Sequence, residues 1–147
     1  MKILFTWGLF LVAISIHAQQ DAGWLRHNTI SPDGAQIVFT YKGDLYKVSS
    51  EGGDAQQLTF HEAHDYQAVW SKDGKQIAFA SNRYGNFDVY VMSANGGAAR
   101  RLTYNSSDEQ PFTFTHDDKK ILFGAVRMDE VNHRQFPTES QPEVYNV

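Results

Sequence analysis

Short hydrophobic runs alternate with polar turns along most of the chain. The runs are four to seven residues long, rich in Ile, Val, Phe and Tyr, and separated by Asp-Gly and Gly-Gly steps. Strands have this length and composition, and these dipeptides mark tight turns, whereas a helix needs a longer uninterrupted pattern. The pattern therefore predicts an all-β protein.

The strands belong to a repeat, because one phrase occurs three times. Ser-Pro-Asp-Gly at residues 31–34 precedes Ile-Val-Phe, and Ser-Lys-Asp-Gly follows forty residues later before Ile-Ala-Phe. The third copy is Thr-His-Asp-Asp at residues 115–118, before Ile-Leu-Phe. The second half of the unit repeats at a spacing of forty-four, in the pairs Asp44-Leu45-Tyr46 with Asp88-Val89-Tyr90, Gly52-Gly53 with Gly96-Gly97, and Leu58-Thr59 with Leu102-Thr103. We interpret the extra four residues as one insertion in a loop between Phe79 and Asp88.

Each unit is predicted to form four antiparallel strands. In the second copy they cover residues 67–70, 76–81, 87–93 and 99–104. Gly74 is expected to take the left-handed conformation in the first turn, and Asp118 replaces it in the third copy because Asp also visits that region.

Repeats of about 40 to 45 residues with four strands each are typical of β-propeller blades. The sequence therefore predicts two full blades and a partial third in an incomplete ring. Their expected bounds are residues 24–65, 66–109 and 110–147.

The first eighteen residues differ from the rest of the chain. Lys2 precedes an apolar run at residues 3–16, and small residues follow before a polar stretch begins at Gln19. This order is typical of a secretory signal, and the run is shorter than the roughly 20 apolar residues that span a bilayer. We expect a signal peptide at residues 1–18, an exported periplasmic or secreted protein, and no membrane span after cleavage.

Composition excludes several kinds of chemistry. The 147 residues are 41% hydrophobic and 20% charged and include no cysteine, which indicates a folded protein without disulfides or a thiol nucleophile. The net charge of -4 does not favour a phosphate backbone, so no nucleic acid is expected as a partner. The pairs Arg100-Arg101 and Lys119-Lys120 are interpreted as solvated outer edges.

The repeat phrase resembles a known family. Ser-Pro-Asp-Gly-x-x-Ile-x-Phe, then Asp-(Leu/Val)-Tyr, Gly-Gly and Leu-Thr, is similar to the repeat of TolB and of the propellers in tricorn-type proteases. Trp24-Leu25-Arg26 ahead of residues 30–34 is closer to the first blade of a tricorn-like protease. A long loop at residues 124–142, before Glu143-Val144-Tyr145 resumes the pattern, also resembles bacterial tricorn-like proteins.

The resemblance implies a non-catalytic propeller segment of an exported serine peptidase, which recognises or admits peptides. The implied partners are a peptide or protein ligand and the remaining blades and catalytic domain of a longer chain. The alternative is a TolB-like envelope module that binds another protein and has no enzymatic activity. We expect a front portion of a longer protein that is poorly soluble alone, because unclosed blades expose a sheet edge.

No catalytic residue and no cofactor is expected in the chain. A Gly-x-Ser-x-Gly elbow is absent from the sequence, and the repeat itself explains Ser31, Ser71 and Ser81. His61 and His64 resemble a metal site, but they lie three residues apart in a predicted loop, whereas the helical HExxH motif spaces its histidines by four. A zinc enzyme is therefore a third and less favoured hypothesis, and no metal ligand is assigned.

Asp65 and Glu109 are candidate binding residues. Each follows the Leu of Leu-Thr by seven residues, in a loop expected at one end of the propeller channel. The two carboxylates would there help to bind peptide amines. The alternative, which we favour, is a structural role in capping turns or accepting backbone N–H groups, because repeated positions usually serve the repeat.

Overall fold

The computed structural model describes residues 25–125 and the backbone of residues 141–146. The predicted signal peptide and residues 126–140 of the predicted long loop lie outside this part. Eleven strands are present in it: β1 (Arg26–Ile30), β2 (Gln36–Tyr41), β3 (Asp44–Ser49), β4 (Gln56–Gln57), β5 (Asp65–Trp70), β6 (Gln76–Ser81), β7 (Asp88–Ser93), β8 (Arg100–Arg101), β9 (Glu109–Phe114), β10 (Lys120–Ala125) and β11 (Gln141–Asn146). Within the same residues there is no helix of the length and apolarity that a bilayer crossing requires.

The strands form three antiparallel sheets, one for each copy of the repeat. The orders are β1-β2-β3-β4, β5-β6-β7-β8 and β9-β10-β11, so each strand pairs with the next along the chain. Strands β1, β5 and β9 contact their neighbours across the sheets and are therefore the inner strands. This is the blade arrangement of a propeller, and the predicted all-β fold with an incomplete ring is confirmed.

The inner strand of the second blade begins two residues earlier than predicted. A bulge lies between Tyr66 and Val69, where Gln67 takes a φ of 53°. The same bulge occurs in β1, where His27 takes a φ of 50°. A bulge adds an unpaired residue and interrupts the two-residue alternation, so the sequence pattern recognises β5 only from the bulged residue Gln67 onward.

Two apolar cores lie between neighbouring blades. Alternate residues of β6 serve different cores, since Ile77 and Phe79 face the first blade and Ala78 faces the third. The first core contains Val38, Leu45, Leu58, Ala68, Trp70, Ile77, Phe79, Tyr90, Met92 and Ala94. The second contains Ala78, Val89, Val91, Leu102, Phe114, Ile121, Phe123 and Ala125. The second blade is thus covered on both faces by its neighbours, which explains the large and small residues on opposite faces of β6.

The turn between the first two strands of each blade is held by its own side chains. In the second blade the Ser71 hydroxyl donates to Asp73 Oδ1 at 2.8 Å and accepts the Gln76 N–H at 2.9 Å. Asp73 Oδ1 also accepts the Lys75 N–H at 3.0 Å. The Lys75 backbone and Ser71 hydrogen bonds lower the pKa of Asp73, because they favour its charged form.

The left-handed conformation of this turn is confirmed in every copy. The φ angles are 75° at Gly34, 70° at Gly74 and 56° at Asp118. The third copy keeps the turn without glycine because Asp tolerates this region better than most residues.

Candidate functional site

The Leu-Thr motif ties the third strand of a blade to its outer strand. The Thr59 hydroxyl accepts the buried Leu45 N–H at 2.9 Å, and the Thr103 hydroxyl accepts the Val89 N–H at 2.9 Å. The hydroxyl therefore replaces a backbone partner where the ladder ends. This explains why β4 and β8 contain only two residues, fewer than predicted for β8.

The residue two positions before this threonine differs between the blades. In the first blade Gln57 Nε2 donates to Asp44 Oδ2 at 3.0 Å and to the Thr59 carbonyl at 2.9 Å. In the second blade Arg101 makes both contacts, with Nη2 2.7 Å from Asp88 Oδ2 and Nε donating to the Thr103 carbonyl at 2.8 Å. Arginine thus preserves the structural bonds and adds a charge and further N–H groups.

Asp65 is the first residue of β5, and its side chain is fully buried. Its Oδ2 atom lies 2.9 Å from Nη2 of Arg83, whose side chain is 16% exposed. The Arg83 guanidinium lies over the rings of Phe79 and Tyr90, with distances to the centroids of 5.6 Å and 5.0 Å. The Asp65 carboxylate therefore forms an ion pair with Arg83. Its role in binding peptide amines stays a prediction.

Glu109 has the equivalent place at the start of β9 and is also fully buried. Its N–H donates to the Phe87 carbonyl at 2.7 Å, just as the Asp65 N–H donates to the Gly43 carbonyl at 2.7 Å. These paired bonds attach each inner strand to the preceding blade. The predicted ligand-binding role of Glu109 likewise stays a prediction.

The loop that carries the predicted four-residue insertion in the second blade is anchored at both ends. At its start, Asn82 Oδ1 accepts the His64 N–H at 2.8 Å. At its end, Asn86 Nδ2 donates to the carbonyls of Asn105 and Ser107 at 2.8 Å and 3.0 Å. The insertion is therefore a fixed loop that presents Arg83 and Tyr84, which lie between these anchors.

A cavity of about 590 Å³ opens beside this loop. Antiparallel pairing brings the end of β6, the start of β7 and the end of β8 to the same end of the blade. The loop after β4 reaches the cavity as well. The lining residues are His61, Arg83, Tyr84, Tyr90, Ala99, Arg101 and Tyr104.

The Arg101 guanidinium lies over two tyrosine rings at the cavity. Its Cζ atom is 4.7 Å from the ring centroid of Tyr84 and 4.6 Å from that of Tyr104. Both rings are largely exposed, at 69% and 70%, while the Arg101 side chain is 19% exposed. Cation–π contacts and the ion pair with Asp88 hold the guanidinium in one place.

Burial shifts the acid–base properties of two groups here. It raises the pKa of Asp88, because burial disfavours the charged carboxylate, although the hydrogen bond from Arg101 opposes this shift. The nearby charge of Glu109 raises the pKa of Asp88 further. Burial also raises the pKa of Tyr90, whose hydroxyl therefore remains a hydrogen-bond donor at neutral pH.

The residues of the cavity are largely those that depart from the repeat. Arg83 and Tyr84 belong to the insertion, Arg101 stands where the first blade has Gln57, and Tyr104 stands where it has Phe60. Sequence reasoning missed this site. Its interpretation of Arg101 as a solvated edge is wrong, because the guanidinium pairs with buried Asp88, whereas Arg100 is exposed. A comparison of the copies position by position would have singled out these residues.

The two histidines considered as metal ligands have different surroundings. His61 lines the cavity, and its Nδ1 accepts the Ala63 N–H at 3.0 Å. The His64 ring packs against Tyr66 and Phe87, with centroids 5.7 Å and 6.2 Å away. In residues 25–125, no three His, Asp or Glu side chains form a group able to hold a metal ion.

Comparison with known proteins identifies the family. Residues 22–143 match the sequence profile of the tricorn protease N-terminal beta propeller domain. The chain belongs to this family. It is also similar to dipeptidyl-peptidase 5 of Porphyromonas gingivalis, with 36% identity over 39% of this chain and 10% of that protein.

Solved structures show the same fold as this tricorn-family propeller. The crystal structure of the tricorn protease superposes with a TM-score of 0.65 and 18% identity, covering 87% of this chain and 14% of that one. A putative TolB from Agrobacterium tumefaciens superposes with a TM-score of 0.64 and 22% identity, covering 70% of this chain and 38% of that one. The chain therefore spans well under half of the relatives it matches.

Proposed function

We propose that the chain is a peptide-recognition segment of an exported tricorn-like serine peptidase and performs no catalysis itself. The observation that carries this proposal is the cavity beside the inserted loop. Its tyrosine rings offer rigid apolar faces, and its arginines offer fixed donors for carbonyl or carboxylate oxygens. The family, and the similarity to proteins named as peptidases, make peptides the reasonable ligand class.

Peptide binding to the 147-residue chain, purified as a fusion with a soluble carrier protein because the unclosed blades expose a sheet edge, tests this proposal. We expect saturable binding of fluorescein-labelled casein peptides, measured by fluorescence anisotropy, and no release of new amino termini. Tyr104→Ala should weaken binding, because it removes an exposed wall of the cavity. Phe60→Ala is the matched control, since Phe60 holds the equivalent position in the first blade and is 78% exposed. Absence of saturable binding would overturn recognition, and hydrolysis by the chain would overturn the non-catalytic role.

The second candidate function is a TolB-like protein-interaction module, favoured by the TM-score of 0.64 with a TolB structure. Such a module binds a folded partner through surface loops. Retention of a folded envelope protein by the immobilised chain, with no binding of unstructured peptides, would support this candidate against the first.

Export is the remaining part of the proposal. The charged, apolar and small-residue order of residues 1–18 supports it. Fusion of these residues to a phosphatase that is active only outside the bacterial cytoplasm should give an active, shortened product. An inactive fusion of full length would count against export.

A further inference from the structure

We propose that the cavity beside the inserted loop binds the carboxylate side chain of an Asp or Glu residue within a peptide. This inference rests on the proposed peptide-recognition function and adds the chemical class that the cavity selects. It follows from the hydrogen-bonding groups left over in the cavity, their accessibility and the shape of its walls.

Three residues that line the cavity have hydrogen-bond donors that are not used within the described part of the chain. A guanidinium carries five N–H donors, and Arg101 directs Nε to Thr103 and Nη2 to Asp88, which leaves its Nη1 group. Arg83 directs Nη2 to Asp65. Within the described residues, Nε of Arg83 and the hydroxyl of Tyr90 are buried and have no hydrogen-bond partner. Buried donors without acceptors are costly, and in the same part of the chain burial leaves Oδ1 of Asp65 and Oδ1 of Asp88 without hydrogen-bond partners. The preference for a ligand with acceptor oxygens therefore comes from the guanidinium groups that line the cavity.

The positive groups are more accessible than the acids that pair with them. Asp65 and Asp88 are fully buried, and neither lines the cavity, whereas the side chains of Arg83 and Arg101 are partly exposed and do line it. A ligand that enters the cavity therefore contacts the guanidinium groups and not the two acids. Asp65, Asp88 and the nearby Glu109 at least balance the charge of the two arginines. Binding therefore depends on directional hydrogen bonds to the guanidinium groups more than on net charge, which suits a singly charged carboxylate better than a group of higher charge.

The shape of the cavity suits a side chain rather than a small ion. A planar guanidinium binds the planar carboxylate with directional bonds. The rings of Tyr84 and Tyr104 offer apolar surface to the methylene groups that precede the carboxylate in Asp or Glu. A volume of about 590 Å³ leaves room for the neighbouring backbone as well.

The decisive experiment compares two peptides that differ in a single group. Fluorescein-labelled alanine-rich peptides with a blocked C-terminus carry either Glu or Gln at the central position, and binding to the full chain is followed by fluorescence anisotropy. We expect the Glu peptide to bind about tenfold more tightly, as expected for a charge-assisted hydrogen bond. An alanine peptide with a free C-terminal carboxylate should not compete at the same concentration.

Two variants link the preference to the cavity. Tyr90→Phe removes only the hydroxyl, and Arg101→Gln installs the residue that makes the equivalent bonds in the first blade. Both should reduce the preference for Glu over Gln several-fold, while Phe60→Ala should leave it unchanged. Circular dichroism confirms that the variants fold, and Tyr90→Phe remains informative if Arg101→Gln does not.

The outcomes separate this inference from the proposed function. Equal affinity for the Glu and Gln peptides overturns carboxylate selection and leaves peptide recognition standing. Competition by the free C-terminus with equal strength overturns the assignment to a side chain. If neither peptide binds and the casein peptides do not bind either, both the inference and the proposed function are wrong.

Discussion

The Asp118 carboxylate accepts the backbone N–H of Lys72 at 2.6 Å and so joins the turn of the third blade to that of the second. Its other oxygen accepts the Asp73 N–H at 2.8 Å. Between the first and second blades the same positions hold Pro32, which has no N–H, and Gly74, where an added Cβ would lie 3.9 Å from Pro32 Cδ. The acceptor and the Lys72 donor therefore occur together at one interface and are both replaced at the other, where Asp33 still has its N–H.

Asp118→Gly is expected to lower the free energy of unfolding by about 1 kcal/mol, because it removes two hydrogen bonds to a charged acceptor at a partly exposed site. Glycine keeps the left-handed turn, so backbone strain does not contribute. Urea denaturation followed by tryptophan fluorescence measures the change. Lys72→Pro, which copies the first blade, should cause a loss that is not additive with Asp118→Gly. Strict additivity would show that the two residues act independently.

Arg101 offers a second test, because its charge and its structural bonds can be separated. Arg101→Ala leaves the fully buried Asp88 without its ion partner and should cost about 3 kcal/mol of unfolding free energy. Arg101→Gln should cost about 1 kcal/mol, since glutamine makes the corresponding bonds in the first blade. Chemical denaturation of the two variants provides the comparison. Equal losses would argue against the equivalence of the two blades at this position.

The sequence predicted what the repeat determines and missed what depends on contacts between blades. The turn at Asp118 was predictable because local backbone conformation limits the residue type. The ion pairs of Asp65 with Arg83 and of Asp88 with Arg101 were not, because each joins residues on different strands or loops. The spacing of residues along the sequence does not predict such ion pairs. Positions at which two copies of the repeat carry different residues, such as Arg101, do indicate them.

The Thr103 hydroxyl provides a third test, directed at the Leu-Thr motif. Thr103→Val keeps the side-chain shape but leaves the buried Val89 N–H without its acceptor, which should cost about 1 to 3 kcal/mol. Thr103→Ser keeps the hydroxyl and should cost less. Hydrogen exchange of the Val89 amide should accelerate in the Val variant and stay slow in the Ser variant. Unchanged protection in both would contradict the assigned bond.

The free energy of unfolding should fall at low pH, in part because of the turns between the first two strands of each blade. The pKa values of Asp33, Asp73 and Asp117 are lowered in the folded state, mainly by hydrogen bonds from a neighbouring hydroxyl and a backbone N–H. A lowered folded pKa means that the stabilisation is present above the unfolded value of about 3.9 and is lost as the pH falls through the folded value. The turns should therefore weaken below about pH 4 and not near neutrality.

Asp73→Asn isolates this effect, because asparagine still accepts hydrogen bonds but does not titrate. Its free energy of unfolding should fall less steeply than that of the unmodified chain as the pH drops from about 4 to about 2. Urea denaturation at a series of pH values measures the slopes. Asp54→Asn, at an exposed position outside these turns, is the matched control. A slope changed as much by Asp54→Asn as by Asp73→Asn would show that general loss of charge, and not the turn, causes the acid sensitivity.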